Sequence, residues 1–290
     1  MASVTVEAPA KLNLTLDVLG KREDGYHEMK MVMQSVSLAD TLTLEQTPGE
    51  GIALFSNLSF LPTDGRNLAV VAAREFEKAA GCKMGHLEIR IQKRIPVCAG
   101  TAGGSSDAAA VLRGLNELIG RRFSLVQLAG IGRGVGSDVP YCVLGGTALA
   151  EGRGELITPL PQLPACWVVM AKPGFSISTP ELFAQFDGKK TRCRPNTEGV
   201  LTALEGGDLG GVARRMFNVF EEVLPFRKRE RVEELKCLLL DHGALGACMT
   251  GTGPTVFGLF SEEAAAWEAY QELKNHCRDT FLTQALGSQN

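Results

Sequence analysis

The sequence predicts an α+β fold, because strand-like and helix-like segments are grouped along the chain rather than strictly alternating. Short apolar-polar alternations fill the first 60 residues, with turn signals at 23–25 and 48–49 between them. A helical period first appears at 67–80, and it dominates the chain after residue 197. Hairpins at the start of a chain favour an α+β architecture over a purely parallel sheet.

Each predicted element follows from its local pattern. Strands are expected within 4–20, 29–46, 51–56 and 86–96, the last one stopped by Pro96. Gly81 and Gly120 follow two amphipathic helices, predicted at 67–80 and 105–119. The remaining predictions are a helix at 124–131, strand-like runs within 142–171, helices over most of 197–243, a strand–turn–strand at 243–260 and a last helix at 262–276.

The composition is that of a soluble globular chain with a substantial core. Its 290 residues are 44% hydrophobic and 22% charged, which allows one large domain or two smaller ones. Proline residues cluster at 159–164, and we predict a boundary there between domains of residues 1–157 and 158–290. The oligomeric state is expected to be monomer or homodimer.

The charge and the cysteines limit the partners and the compartment. A net charge of −3 gives no electrostatic reason to expect nucleic acid or an anionic membrane as a partner. The eight cysteines are scattered without metal-ligand spacing, and no secretory signal or apolar membrane span is visible. We therefore expect a cytoplasmic protein with reduced thiols.

The segment CAGTAGGSSDAAA at 98–110 is a candidate anion site. A glycine-rich turn that enters a helix presents free backbone N–H groups, and the helix dipole adds partial positive charge. Ser105 or Ser106 can cap the helix, and either hydroxyl could reach a phosphate or a magnesium ion. The same glycines also suit a tight strand–helix connection that binds nothing. The segment lacks the lysine of a Walker A loop, and no G-x-G-x-x-G fingerprint occurs.

Four further segments carry candidate chemistry. Lys11 and Asn13 share one face of a predicted strand, and MTGTGPTVFGLF at 249–260 places a second glycine turn between apolar strands. Asp138, in GSDVPYC, suits either a turn or a general base. Tyr26 and His27 follow a hairpin-like turn and could stack on and hydrogen-bond a base. Each of these segments also has a purely structural explanation when it is taken alone.

Taken together and in order, these segments resemble the GHMP kinase superfamily over nearly the whole chain. The resemblance is carried by APAKLNLTLDVLGKREDGYHEM, GRNLAVVAA, KRIPVCAGTAGGSSDAA, GSDVPYCVLGGTALAEGRGE, KPGFSISTPELF and MTGTGPTVFGLF. It implies a two-domain α+β fold with the active site in the cleft between the domains. It also implies ATP-dependent phosphorylation of a hydroxyl, with ATP and Mg²⁺ required. The small-molecule substrate implied is a cytidine diphosphate-linked methylerythritol.

The resemblance also implies roles for individual residues. Lys11 and Asp138 match the catalytic pair, and a carboxylate that takes the hydroxyl proton beside an ammonium is chemically reasonable. The substrate-binding positions implied are Asn13, Tyr26, His27, Thr179 and Phe183. The nucleotide-binding positions implied are Asn67, Lys93, Pro96, Val97, Cys98, Ala99, Gly100, Thr101, Ala102, Gly103, Gly104, Ser105 and Ser106. Ser106 is also the candidate magnesium ligand.

The sequence departs from the family pattern in the phosphate loop, where Cys98, Thr101 and Ala102 replace Gly, Leu and Gly. Ala102 is expected to disfavour a positive φ at its position. Three alternatives remain at this point. One is a related kinase of mevalonate, homoserine or a sugar, and another is a non-catalytic nucleotide-binding regulator on the same scaffold. The third, a Rossmann dehydrogenase, is disfavoured by the missing fingerprint and the hairpin start.

Overall fold

A computed structural model describes residues 2–189 and 191–288. Within these ranges the chain forms two sheets, with helices packed against each. The strands are β1 (Ala2–Lys21), β2 (His27–Thr47), β3 (Gly51–Ser56), β4 (His86–Gln92), β5 (Thr147–Gly152), β6 (Leu156–Pro159), β7 (Trp167–Lys172), β8 (Phe217–Asn218), β9 (Gly246–Met249), β10 (Val256–Phe260) and β11 (Asp279–Gln284).

The helices agree with the predicted α+β class. They are α1 (Leu68–Ala80), α2 (Gly103–Leu118), α3 (Leu125–Gly132), α4 (Val139–Leu144), α5 (Thr179–Asp187), α6 (Thr197–Glu205), α7 (Leu209–Ala213), α8 (Phe226–Asp241) and α9 (Glu263–His276), with a 3₁₀ helix at Val219–Val223. In the described ranges, the longest apolar stretches of helix are too short to cross a membrane.

The first sheet is organised around one long antiparallel hairpin, β1–β2. Its order is β3-β4-β2-β1-β8, and β5 also pairs with β2 and carries β6 at its far side. Residues 8–18 of β1 are buried in unbroken succession instead of alternating. The middle of β1 is therefore covered on both faces, which places its polar residues, Lys11 among them, inside the molecule.

The second sheet is antiparallel, in the order β11-β7-β10-β9. The boundary predicted at 157/158 falls within β6, which is hydrogen-bonded to β5 over Leu156–Pro159, and it stays a prediction. The proline at the end of β6 is compatible with a strand at a sheet edge, since the missing N–H is not needed there. The change of sheet occurs in the stretch 160–166. The chain also returns to the first sheet through β8, which is parallel to β1.

Two local differences from the sequence-based expectations affect the site. Helix α2 begins at Gly103 rather than at 105, so the two glycines form its first turn instead of a preceding loop. The segment predicted as a possible turn at 136–142 forms the short helix α4, with Asp138 at its N-cap and Pro140 in its first turn. Proline is favoured in a first helical turn because that N–H has no helical partner.

Candidate active site

A cleft of about 1090 Å³ is lined by residues of both halves of the chain. Nearly all the residues singled out in the sequence line it, and the two that do not are Asn13 and Ser106. Segments contribute from β1, from the turn before β2, from the 93–105 region, from the start of α4, from α5 and from the 251–253 turn. The structure thus brings together segments that are separated by more than 200 residues in sequence.

Lys11 and Asp138 meet on one wall of this cleft. The Nζ atom of Lys11 lies 3.9 Å from Oδ2 of Asp138. Lys11 is almost fully buried, whereas 31% of the Asp138 side chain is exposed to the cleft. Asp138 stands at the N-cap of α4, and its side chain makes no capping hydrogen bond there. Its carboxylate is therefore free to contact a ligand, with a fixed ammonium beside it.

Asn13 supports Lys11 from within the core and does not reach the cleft. It is fully buried, and its Oδ1 accepts hydrogen bonds from Lys11 Nζ at 2.7 Å and from the backbone N–H of Gly251 at 2.9 Å. Its own N–H donates to the hydroxyl of Thr250 at 3.0 Å. The structure thus gives Asn13 a bracing role between β1 and the 250–254 turn, and the substrate contact expected from the resemblance stays a prediction.

The loop between β4 and α2 has a left-handed backbone at three positions. The φ angles are 53° at Cys98, 77° at Gly100 and 57° at Ala102. The expectation that Ala102 disfavours a positive φ is correct as chemistry, since each non-glycine residue there costs roughly 1–2 kcal/mol. Ala102 nevertheless adopts a positive φ, because the loop is held in place in part by the hydrogen bond that Lys11 N–H donates to the carbonyl oxygen of Thr101. Cys98 and Ala102 therefore adopt the left-handed backbone despite their side chains.

The two glycine turns touch at Gly100. A Cβ on Gly100 would lie 2.3 Å from the carbonyl oxygen of Thr250, and a Cβ on Gly251 would lie 2.6 Å from the carbonyl oxygen of Gly100. No side chain can be accommodated at that separation, so glycine is required on both sides of the contact. The second turn thereby buttresses the first along the floor of the cleft.

The start of α2 offers free backbone donors to the cleft. The first intrahelical bond is donated by the N–H of Ser106 to the carbonyl of Ala102, which leaves the N–H groups of Gly103, Gly104 and Ser105 outside the helical ladder. These three residues line the cleft. A helix N-terminus of this kind stabilises anions through its N–H groups and its dipole.

The hydroxyl of Ser106 is engaged within the fold, and its predicted role as a magnesium ligand stays a prediction. Its side chain is buried, and its hydroxyl donates a 2.5 Å hydrogen bond to the carbonyl oxygen of Pro9. The hydroxyl fastens α2 to β1, and the sequence could not show this because Ser105 and Ser106 carry the same functional group. Of the two serines, the structure brings only Ser105 to the cleft. In the described ranges, no cluster of three or more His, Cys, Asp or Glu side chains forms a metal site.

A buried charge cluster lies beneath the same helix start. The Lys93 ammonium contacts the carboxylates of Asp40 and Asp107, the latter at 2.7 Å. It also lies 3.3 Å from the point where a Cβ on Gly103 would stand. Asp40 Oδ1 accepts the backbone N–H groups of Arg94 and Ile95, whereas Oδ1 of Asp107 has no hydrogen-bond partner in the described part of the chain. Burial raises the pKa of Asp107 to about 7, against the opposing effect of Lys93.

The other end of the cleft is aromatic. Tyr26 is half exposed, and the guanidinium of Arg153 lies 4.8 Å from the centre of its ring. The rings of His27 and Phe183 stack with their centres 4.5 Å apart. Thr179, at the start of α5, shares a 2.9 Å hydroxyl–hydroxyl hydrogen bond with Thr252. The predicted base-binding residues therefore lie together, and α5 is linked to the second glycine turn.

Asn67 lies at the edge of the cleft, but its side chain is engaged in structure. Its Oδ1 caps α1 by accepting the N–H of Ala69, and its Nδ2 donates to the carbonyl oxygen of Pro62. Sequence analysis missed Asp40, Asp107, Arg153 and Asp187 as residues of this region. Asp107 and Arg153 had a usable signal, since both stand in segments that carry the family resemblance.

Comparisons with known proteins agree with this arrangement. The family model described as "GHMP kinases N terminal domain" matches residues 67–146, and "GHMP kinases C terminal" matches residues 200–279. The 4-diphosphocytidyl-2-C-methyl-D-erythritol kinase of Alkaliphilus metalliredigens is 44% identical, over 98% of this chain and 97% of that protein. The enzyme of the same name from Lachnoclostridium phytofermentans is 43% identical over the full length of both.

Solved structures give the same result. A crystal structure of 4-(cytidine 5'-diphospho)-2C-methyl-D-erythritol kinase superposes with a TM-score of 0.80 at 33% identity, covering 98% of this chain and 100% of that one. A homoserine kinase from Cytophaga hutchinsonii superposes at 0.77 with 20% identity, which is a likeness of fold alone. From the full-length similarity to its curated relatives, the chain belongs to the family of 4-diphosphocytidyl-2-C-methyl-D-erythritol kinases within the GHMP kinases.

Proposed function

We propose that this protein transfers the γ-phosphoryl group of ATP to the 2-hydroxyl of 4-diphosphocytidyl-2-C-methyl-D-erythritol. The products are the 2-phosphate and ADP, in the non-mevalonate pathway to isoprenoid precursors. The single observation that carries the proposal is geometric. One cleft combines the Lys11–Asp138 pair, a phosphate-type loop at 96–106 and an aromatic end formed by Tyr26 and Phe183. Such a cleft suits a donor with phosphates and an acceptor that carries both a base and an alcohol.

ATP is expected to bind along the glycine-rich loop. The free N–H groups at the start of α2 suit its phosphate oxygens, and Asn67 and the backbone near Lys93 border the space next to them. ATP would enter as its magnesium complex, because kinases usually hold Mg²⁺ between phosphate oxygens and one or two protein oxygens. The bound ion would neutralise part of the charge that develops on the phosphates.

Asp138 is proposed as the general base. Its carboxylate accepts the proton of the substrate hydroxyl as that oxygen bonds to the γ-phosphorus and the bond to the ADP oxygen breaks. The buried ammonium of Lys11, held at 2.7 Å by Asn13, stands beside the reacting oxygen. It offsets the negative charge that gathers there during the transfer.

The cytidine end of the substrate would be held at the aromatic end of the cleft. An exposed Tyr26 ring and the Phe183 ring provide flat apolar faces for a base, and His27 adds a polar edge. Thr179 lies between this end and the glycine turns. We place the enzyme in the cytoplasm, since its eight cysteines are unpaired, and we expect no nucleic-acid or membrane partner.

The test is ATP consumption by the purified protein with a panel of alcohols. We expect turnover with 4-diphosphocytidyl-2-C-methyl-D-erythritol and at least a hundredfold lower kcat/KM with mevalonate, with homoserine and with simple sugars. Product analysis should find the new phosphate on the 2-hydroxyl. Turnover of mevalonate or homoserine without turnover of the cytidine compound would overturn the proposal. ATP binding without turnover of any alcohol would favour a non-catalytic regulator.

A further inference from the structure

We propose that Asp187 is a positioning residue that fixes the ring of His27 so that the enzyme accepts cytosine and rejects uracil. The inference rests on the proposed function, since it concerns the base of the proposed substrate. Asp187 is the last residue of α5, and it was not among the residues that the sequence singled out. Its Oδ1 lies 2.7 Å from Nε2 of His27.

Helix α5 contacts the His27 ring in two ways at once. Phe183 and Asp187 are four residues apart, so they lie on the same face of the helix. The Phe183 ring covers one face of the imidazole, with centres 4.5 Å apart and planes 28° from parallel. The Asp187 carboxylate is hydrogen-bonded to the ring at Nε2. The stack and the hydrogen bond together leave the ring little freedom to turn.

The carboxylate also decides which ring nitrogen carries the proton. Asp187 accepts hydrogen bonds when ionised, so Nε2 must be the donor in this pair. The pKa of Asp187 is lowered, first by the hydrogen bond with His27 and further by Lys21, whose Nζ lies 3.3 Å from Oδ2. In the tautomer that carries its single proton on Nε2, Nδ1 is left as a bare acceptor. His27 itself lines the cleft with only about 10% of its side chain exposed.

A bare Nδ1 distinguishes the two pyrimidines by their chemistry. Cytosine carries an amino donor at the position where uracil carries a carbonyl acceptor. The amino group can donate to Nδ1, whereas the uracil oxygen would face a second lone pair without a proton between them. A site built around a hydrogen bond rejects an analogue that cannot make it, because a polar group is then left unpaired. The His27–Asp187 pair therefore supplies base specificity without contact between Asp187 and the base.

The test compares Asp187→Ala with the wild-type enzyme on two substrates, the cytidine compound and its uridine counterpart. We expect the wild type to prefer cytidine in kcat/KM. In the variant, KM for the cytidine compound should rise about tenfold with kcat within threefold, and the preference for cytidine should fall by roughly tenfold. Asp187→Asn retains an oxygen that can accept from Nε2, so it should restore most of the preference. Asp241→Ala, an exposed carboxylate at the end of α8, is the control and should leave both quantities unchanged.

The base preference is the deciding measurement, because a merely structural defect would weaken both substrates equally. An unchanged cytidine preference in Asp187→Ala overturns the inference, whether or not KM rises. A fall in kcat with unchanged KM also overturns it, since it would place Asp187 at the reacting end. If the wild type turns over neither compound, the proposed function fails as well. If the wild type turns over the cytidine compound and Asp187→Ala loses none of the preference for cytidine, the inference about Asp187 fails and the proposed function stands.

Discussion

The two ends of the cleft are built in different ways. At the reacting end, Lys11 and Asn13 are buried and connected through backbone hydrogen bonds to loops that lie nearly 90 and 240 residues away in sequence. At the base end, Tyr26 is half exposed, and the aromatic rings come from a hairpin turn and from the single helix α5. The first end is held by the core, and the second is assembled on the surface of the cleft.

This difference separates the two tasks that a small-molecule kinase has to combine. Phosphoryl transfer depends on groups kept in place before the substrate arrives, and buried hydrogen bonds supply that order. Recognition of a base needs a flat apolar surface from which water is displaced when the base binds. Exposed aromatic rings provide such a surface. Substitutions at the reacting end should therefore change kcat, and substitutions at the base end should change KM.

Asp138→Asn should have the largest effect. The amide keeps the shape of the side chain but cannot take the hydroxyl proton, so kcat should fall about a thousandfold. The ATP affinity and KM for the cytidine compound should stay within threefold, because neither the loop at 96–106 nor Tyr26 is changed. Steady-state kinetics and ATP titration by calorimetry measure these quantities. A variant that keeps most of its kcat would show that Asp138 is not the base.

Tyr26→Ala should have a smaller effect on a different quantity. Loss of a stacking face should raise KM for the cytidine compound about tenfold, since an aromatic contact with a base is worth roughly 1–3 kcal/mol. The kcat should stay within threefold. Tyr26→Phe keeps the ring and should behave like the wild type in both quantities. If Tyr26→Ala lowered kcat as strongly as Asp138→Asn does, the division between the two ends would be wrong.

The sequence named residues at both ends of the cleft through different signals. Tyr26 and His27 stand in a local motif after a turn, and Phe183 was named only through the resemblance of its segment to the family. The hydrogen bond between Asn13 and Gly251 had no such signal, because Gly251 lies in the second glycine turn and no local pattern shows that contact. Whether a polar side chain faces a cleft or braces the core depends on tertiary packing.

Predictions of the fold were limited in the same way, because they rest on local patterns. Helices α1 and α3 and the hairpin strands were predicted from periodicity and capping residues, which act within one turn or one strand. The boundary predicted at 157/158 falls inside β6, because proline content cannot reveal that β6 pairs with β5. Asp40 had no signal at all, since its partners Lys93 and Asp107 come from two other elements.

The smallest predicted effect concerns how the two ends respond to pH. Asp107, at the reacting end, has a pKa raised by burial to about 7, above the value of about 3.9 for an exposed aspartate. Between about pH 4 and pH 7, the folded state therefore keeps a proton on Asp107 that the unfolded state has released. The contribution of Asp107 to the free energy of unfolding falls as pH rises through this range. Asp187, at the base end, shifts the other way, because the hydrogen bond with His27 lowers its pKa. The contribution of Asp187 to the free energy of unfolding is lost only as pH falls below about 4.

Asp107→Asn removes the titrating group while leaving Lys93 paired with Asp40. The melting temperature of the variant, relative to the wild type, should therefore rise by a few degrees between pH 5 and pH 8 and then level off. Asp241→Asn, at an exposed position, should show a constant difference over the same range. Melting curves by calorimetry at half-unit pH steps measure this. A difference for Asp107→Asn that does not change with pH would mean that Asp107 is ionised throughout, and the reacting end would then hold a permanent excess of negative charge beneath its phosphate loop.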